Sequence, residues 1–318
     1  MFNFIILACS LVGIIYGANF LVDGASSFAK KFKIPNIVIG LTIVAFGTSS
    51  PELAVSTYSA YTGNADISIG NVIGSNIVNI LFILGVSAII FPLTILKNTV
   101  LKEIPFSLLA AIVIYLMIND ILFSGHQTDV ISFADGLILL GFMTIFMYYL
   151  IHLARNSGED ENLDIKDMTI SKSVLLIVSG LVLLVGGGKF FVDAAVDIAT
   201  GLGVSKAVIG LTIVAIGTSL PELATSLVAA FKKNVDIAVG NVVGSNIFNI
   251  FFILGISSLV APLPKGGITD LDFYACIFAS ILLLLSAYTL RRYKITRLEG
   301  VIFVICYLAY IIYQVSTI

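Results

Sequence analysis

The chain has 318 residues, 58% of them apolar and 11% charged, with a formal net charge of −2 and a mean hydropathy of +1.08. A soluble domain carries about 25% charged residues, so this composition excludes a soluble globular protein and specifies a polytopic membrane protein. The charge balance offers no basic footprint for nucleic acid, and Cys9, Cys276 and Cys306, scattered through apolar segments, give neither a disulfide framework nor a thiolate metal site.

A bilayer-crossing helix needs about 20 apolar residues. Ten windows meet that need, centred near residues 12, 47, 79, 114, 143, 182, 217, 249, 280 and 307. The expected fold is all-α, with ten transmembrane helices.

The second window contains GLTIVAFGTSSPELAVS, Gly40 to Ser56, and puts Glu52 inside an apolar stretch. Pro51 has no N–H for the carbonyl of Gly47, so the helix should break beside Glu52. Thr48 and Ser49 add hydroxyls one turn away. The third window contains GNVIGSNIVNILFILG, Gly70 to Gly85, in which Ser75 and Asn79 are four apart on one helical face. Gly70 and Gly74 have the spacing of a close helix contact. Asn71 and Asn76 lie nearer the span entrance and suit either packing or a site. Further along, residues 153–172 form a linker whose acids Glu159, Asp160, Glu161, Asp164 and Asp167 read as a solvated loop without a ligand.

Beyond the linker the chain repeats itself. GLTIVAIGTSLPELATS runs from Gly210 to Ser226 and GNVVGSNIFNIFFILG from Gly240 to Gly255, both offset by 170 residues, with 31 identities in 46 aligned positions. Glu222, Pro221, Thr218, Ser219, Ser245 and Asn249 therefore duplicate the first set, as Gly240, Gly244, Asn241 and Asn246 duplicate their counterparts. The chain divides into a five-helix repeat at 1–152 (motifs 40–85), the linker, and a five-helix repeat at 173–318 (motifs 210–255).

Charge gives the orientation. Lys30, Lys31, Lys33, Lys97, Lys102, Arg155, Lys166, Lys172, Lys232, Lys233, Arg291, Arg292, Lys294 and Arg297 fall on one side of a ten-span arrangement; Lys189, Lys206 and Lys265 fall on the other. Fourteen against three places both termini outside the cytoplasm and the linker inside. An odd number of spans per half makes the repeats inverted. Such repeats form substrate sites where they meet at the midplane.

Only Glu52 and Glu222 are expected deep within spans, and no lysine, arginine or histidine lies near the middle of one; His126 and His152 lie near span ends. Two facing carboxylates at ~5 Å and an effective dielectric of ~20 repel by roughly 3 kcal/mol, so the pair needs a cation or protons. The candidate donors are all oxygens, which suit hard cations such as Na+, Ca2+ or Mg2+ and suit softer transition metals poorly.

At these residues the chain resembles the Ca2+/cation antiporter superfamily, most closely its Na+/Ca2+ exchanger branch. GTSSPEL and GTSLPEL, each followed by a GNxxGSNxxN block, look like its two alpha-repeats. The resemblance implies that Glu52 and Glu222 share a Ca2+ site with the carbonyls of Thr48 and Thr218. It implies Na+ sites at the carbonyls of Ala45 and Ala215 and the side chains of Ser49, Ser75, Asn79, Ser219, Ser245 and Asn249. It further implies exchange of several Na+ for one Ca2+, with the first and sixth spans sliding against the other eight. K+-dependent exchangers and some microbial members carry aspartate where this chain has Asn249, which argues against K+ co-transport. The GNxxE arrangement typical of the H+/cation branch is missing.

The expected function is a secondary active antiporter in a plasma or inner membrane that uses Na+ to expel Ca2+ by alternating access. Ca2+/H+ antiport is the alternative, and a cation channel is the rival from another class. No nucleophile–base pair or HExxH motif supports an enzyme. Na+ and Ca2+, with H+ as the alternative coupling ion, are transported substrates; neither a cofactor nor a protein partner is inferred.

Overall fold

The computed structural model describes residues 2–125, 128–156, 167–202, 215–290 and 293–316. Among the described residues, eight helices are long and apolar enough to cross a membrane: Asn3–Phe32, Ala65–Ile90, Thr99–Ile118, Phe133–Arg155, Ile170–Gly201, Val235–Val260, Asp270–Tyr288 and Arg297–Ser316. A ninth candidate is the broken pair Asn36–Thr48 and Ser50–Tyr61, bent by 48°. The span expected near residue 217 is described only as Ala215–Thr218 and Leu220–Phe231; residues 203–214 lie outside the described residues. So do the linker acids Glu159, Asp160, Glu161 and Asp164, together with His126, Lys166, Lys206, Arg291 and Arg292.

Both expected breaks occur. Ser49 (φ −81°, ψ 7°) and Ser219 (φ −89°, ψ 9°) leave helical geometry, and Pro51 and Pro221 then sit in the first turn of the next helix, where the missing N–H costs no intrahelical bond. One detail differs from the sequence expectation. The carbonyl of Gly47, which Pro51 cannot reach, accepts a hydrogen bond from the Ser50 hydroxyl, so it is not left open. The second repeat has Leu220 at the corresponding position.

The buried apolar side chains form two separate clusters. One joins Phe2–Phe32 to Ile170–Gly201, through residues such as Ile14, Leu21, Ile177 and Leu184, and reaches the rest of the protein at Ile39, Val44, Ala229 and Ile237. The other runs through the remaining helices. The two long helices touch backbone to backbone: a Cβ on Gly17 would lie 2.9 Å from the Gly180 carbonyl oxygen, and one on Gly180 would lie 2.7 Å from Leu21 N. Close approach through small residues is how helices associate in lipid, where the hydrophobic effect gives no preference for helix over acyl chain. Polar contacts tie this pair to the body at one end. Lys232 Nζ is 2.6 Å from Asp23 Oδ1, and Asn234 Nδ2 donates to Ser26 Oγ at 3.0 Å. Both partners of the ion pair are about one-third exposed, so it contributes at most about 1 kcal/mol.

Two short antiparallel strand pairs link the halves reciprocally. Leu93–Thr94 pairs with Lys294–Ile295, and Leu263–Pro264, at the same place in the second repeat, pairs with Val130–Ile131. The small-residue expectation holds at Gly240 and Gly244. A Cβ on Gly240 would stand 3.0 Å from the Ile37 carbonyl oxygen, and one on Gly244 would stand 2.8 Å from Ala45 Cβ and 2.9 Å from Leu41 Cα. The helix ending at Thr48 thus crosses Val235–Val260 at backbone contact. Among the described residues, Gly70 meets only Ile268 and Gly74 meets nothing within 4 Å. The segment matching residues 37–45 in the second repeat, 207–215, lies almost wholly outside them.

Candidate cation-binding site

Each glutamate begins a helix just after a break, so the geometry of the break aims it. Glu52 is 0% and Glu222 1% exposed. Each is served by hydroxyls from both repeats. Ser49 Oγ donates to Glu222 Oε1 at 2.9 Å, and Ser219 Oγ lies 3.3 Å from Glu52 Oε1. Within each repeat, Ser75 Oγ reaches Glu52 Oε1 at 3.4 Å and Ser245 Oγ reaches Glu222 Oε1 at 3.5 Å. Ser219 Oγ also lies 3.3 Å from Ser75 Oγ. The breaks therefore hand each repeat's serine across to the other's carboxylate.

Asn79 and Asn249 sit at the same place in two wide, π-helical stretches, Val78–Leu84 and Phe248–Leu254. Such widenings are frequent at functional sites, because they rotate side chains off the regular α spacing. Asn79 Nδ2 donates to Asn246 Oδ1 and Asn249 Nδ2 to Asn76 Oδ1, both at 3.0 Å. Thr48 Oγ1 lies 3.0 Å from Asn241 Oδ1 and 3.3 Å from the Ala45 carbonyl oxygen. Its single proton favours the shorter contact, which leaves the Ala45 carbonyl one donor, Ser49 N at 3.0 Å. Thr218 Oγ1 reaches Asn71 Oδ1 at 3.4 Å, and Ala215 is the first described residue of the helical stretch that Thr218 closes. Side chains of ten of the twelve expected site residues thus enter a polar network of three hydrogen-bonded sets, one around Glu52, one around Glu222 and one made of Asn76, Asn79, Asn246 and Asn249. Ala45 adjoins it through its carbonyl, and Ala215 is placed only along the backbone.

Four oxygens in this network have no hydrogen-bond donor among the described residues: Glu52 Oε2, Glu222 Oε2, Asn79 Oδ1 and Asn249 Oδ1. An unsatisfied buried acceptor costs about 1–3 kcal/mol, and more when charged. Two carboxylate and two amide oxygens are a donor set for a hard cation.

Spacing alone did not assign several residues of this network. Asn71 Nδ2 lies 3.0 Å from Ser56 Oγ and 3.4 Å from the Glu52 carbonyl oxygen; Asn241 Nδ2 lies 2.9 Å from Ser226 Oγ and 3.2 Å from that of Glu222. Recurrence of Ser56 and Ser226 at the 170-residue offset was the available signal. Besides the two acids expected deep within spans, two acids near span ends, Glu103 and Glu299, are withdrawn from solvent. Glu103 accepts from the Tyr149 hydroxyl, and Glu299 Oε2 from Thr296 N; these contacts near helix ends offset part of their desolvation.

The family profile described as sodium/calcium exchanger protein matches residues 2–152 and 172–316. The chain belongs to the sodium/calcium exchanger family. It is 34% identical to the sodium/calcium exchanger MaX1 of Methanosarcina acetivorans, across 98% of this chain and 97% of that one. It is 36% identical to the putative antiporter CaxA of Alkalimonas amylolytica, with 96% of each covered. The solved sodium-calcium exchanger NCX_Mj superposes with a TM-score of 0.82 at 37% identity over 98% of both chains. This exchanger is accordingly an integral membrane cation antiporter of the Ca2+/cation antiporter superfamily, and a transporter rather than an enzyme.

Proposed function

We propose that the protein exchanges Na+ for Ca2+ by alternating access, with the inward Na+ gradient expelling Ca2+. The observation that carries this reading is the set of four buried oxygens, on Glu52, Glu222, Asn79 and Asn249, that have no donor among the described residues. Glu52 and Glu222 take Ca2+ with the carbonyls of Thr48 and Thr218. The carbonyls of Ala45 and Ala215 and the side chains of Ser49, Ser75, Asn79, Ser219, Ser245 and Asn249 take Na+. One Ca2+ neutralises the two carboxylates, whereas three Na+ leave a charge of +1, so the two loads are alternatives for one chamber. The separate apolar cluster of the long helices supports a sliding unit distinct from the rest.

The test is Ca2+ flux in vesicles under an imposed Na+ gradient, and then under a pH gradient alone. Uptake driven by Na+ and insensitive to the pH gradient is expected. Uptake driven by the pH gradient without Na+ would replace this reading with Ca2+/H+ antiport, and flux needing neither counter-ion would make the protein a channel.

The same reading makes the two five-helix repeats inverted, with ten spans in a plasma or inner membrane. Both termini are extracytoplasmic and the 153–172 linker is inside, on the strength of the lysine and arginine bias. In a background lacking Cys9, Cys276 and Cys306, Asn3→Cys and Ser316→Cys should label from outside intact cells. Labelling of Ser157→Cys with the termini protected would invert the topology.

A further inference from the structure

We propose that Asn76 and Asn246 are positioning residues that decide which end of the Asn249 and Asn79 amides is offered to the cation, and that they thereby reserve those two positions for uncharged ligands. This rests on the cation-site reading above.

A terminal amide torsion is broad and roughly two-fold. Unrestrained, an asparagine can present its oxygen or its NH2 group, and the NH2 group repels a cation. Here the choice is anchored to the backbone. Asn76 Nδ2 donates to the Asn246 carbonyl oxygen at 3.1 Å, and Asn246 Nδ2 donates to the Asn76 carbonyl oxygen at 3.3 Å. A backbone carbonyl only accepts, so the NH2 end of each anchoring asparagine is fixed there, and its Oδ1 must face the other way. Those two oxygens accept from Asn249 Nδ2 and Asn79 Nδ2 at 3.0 Å. The NH2 ends of Asn249 and Asn79 are thereby occupied, and their own Oδ1 atoms are the ones left without a donor. All four side chains are buried to within 2% of complete.

The frame also disfavours a carboxylate at either position. An ionised aspartate at 249 has no donor, so one of its oxygens would meet Asn76 Oδ1, whereas a protonated one can give its O–H there and stays uncharged. Turning the Asn76 amide to supply a donor would bring its oxygen against the Asn246 carbonyl. The frame thus limits the formal charge of the chamber to that of Glu52 and Glu222.

The experiment measures the Na+ concentration for half-maximal Ca2+ exchange in proteoliposomes, for Asn76→Ala, Asn249→Ala and their double mutant, with Asn246→Ala and Asn79→Ala as the mirror set. Each single mutant should raise it by about 5-fold, the worth of one hydrogen bond. A residue acting only through its neighbour is non-additive with it. The Asn76→Ala/Asn249→Ala double mutant should therefore match Asn249→Ala, whereas Asn76→Ala combined with Asn79→Ala should multiply. Asn249→Asp should impair Na+ dependence, and Asn76→Ala should relieve that impairment. The unfolding midpoint in Na+-free buffer separates loss of fold from loss of alignment, and the mirror set serves if an Asn76 variant does not fold. Multiplicative effects of Asn76→Ala and Asn249→Ala, or an Asn249→Asp defect unrelieved by Asn76→Ala, would overturn the positioning role. Unchanged Na+ dependence in Asn79→Ala and Asn249→Ala would instead overturn the site reading on which it stands.

Discussion

Glu52→Gln and Glu222→Gln should each reduce Ca2+ exchange to background in reconstituted vesicles, while insertion, purification and size-exclusion behaviour stay as in the wild type. The two side chains have nearly the same volume, so packing is preserved and only charge is lost. A divalent ion and a carboxylate at ~4 Å, with an effective dielectric of ~20, attract by roughly 8 kcal/mol. Dehydration offsets much of this. Even one quarter of it, about 2 kcal/mol, corresponds to roughly 30-fold in affinity. The serine contacts on Oε1 from both repeats predict similar losses for the two mutants. Near wild-type exchange by either would remove the carboxylate pair from the transport site.

Gly244→Val should strongly reduce stability. Its side chain would enter the contact with Ala45 and Leu41, where the nearest atoms include the backbone of a crossing helix and cannot rotate away. Overpacking costs about 1–3 kcal/mol, and backbone opposition puts this case at the upper end. The unfolding midpoint in detergent should fall by roughly 5 °C or more. Gly141→Val is the control, because a Cβ at Gly141 meets nothing within 4 Å. Equal midpoints for the two variants would mean that the crossing at Leu41 and Ala45 yields easily.

Much of the candidate site was legible because two independent constraints coincide in the sequence. An acid in an apolar stretch is costly, and a proline beside it ends the helix; finding both twice at one offset identified Glu52, Glu222 and their serines. The second asparagine layer was harder to read. Asn71 and Asn76 lie five residues apart on one helix, yet Asn71 donates to its own repeat's glutamate carbonyl and accepts from Thr218, while Asn76 donates to a backbone carbonyl of the other repeat. That difference depends on how the helices cross, which local spacing does not encode. The π-helical widening at Asn79 is likewise a backbone adjustment with no residue signature of its own. Ser50 shows the opposite case: a hydroxyl one residue before a proline is a local donor for the carbonyl that the proline abandons, and the sequence alone could have supplied it.

The reciprocal strand pairs bear on whether either half of the chain is separable. Each pair takes one strand from each half, and each glutamate receives a serine contact from the opposite half. Cutting the chain at its linker would leave four short strand edges without partners and two carboxylates without their cross-repeat contacts. The two halves are therefore expected to depend on each other as the subunits of an obligate dimer do, and each expressed alone should fail to fold.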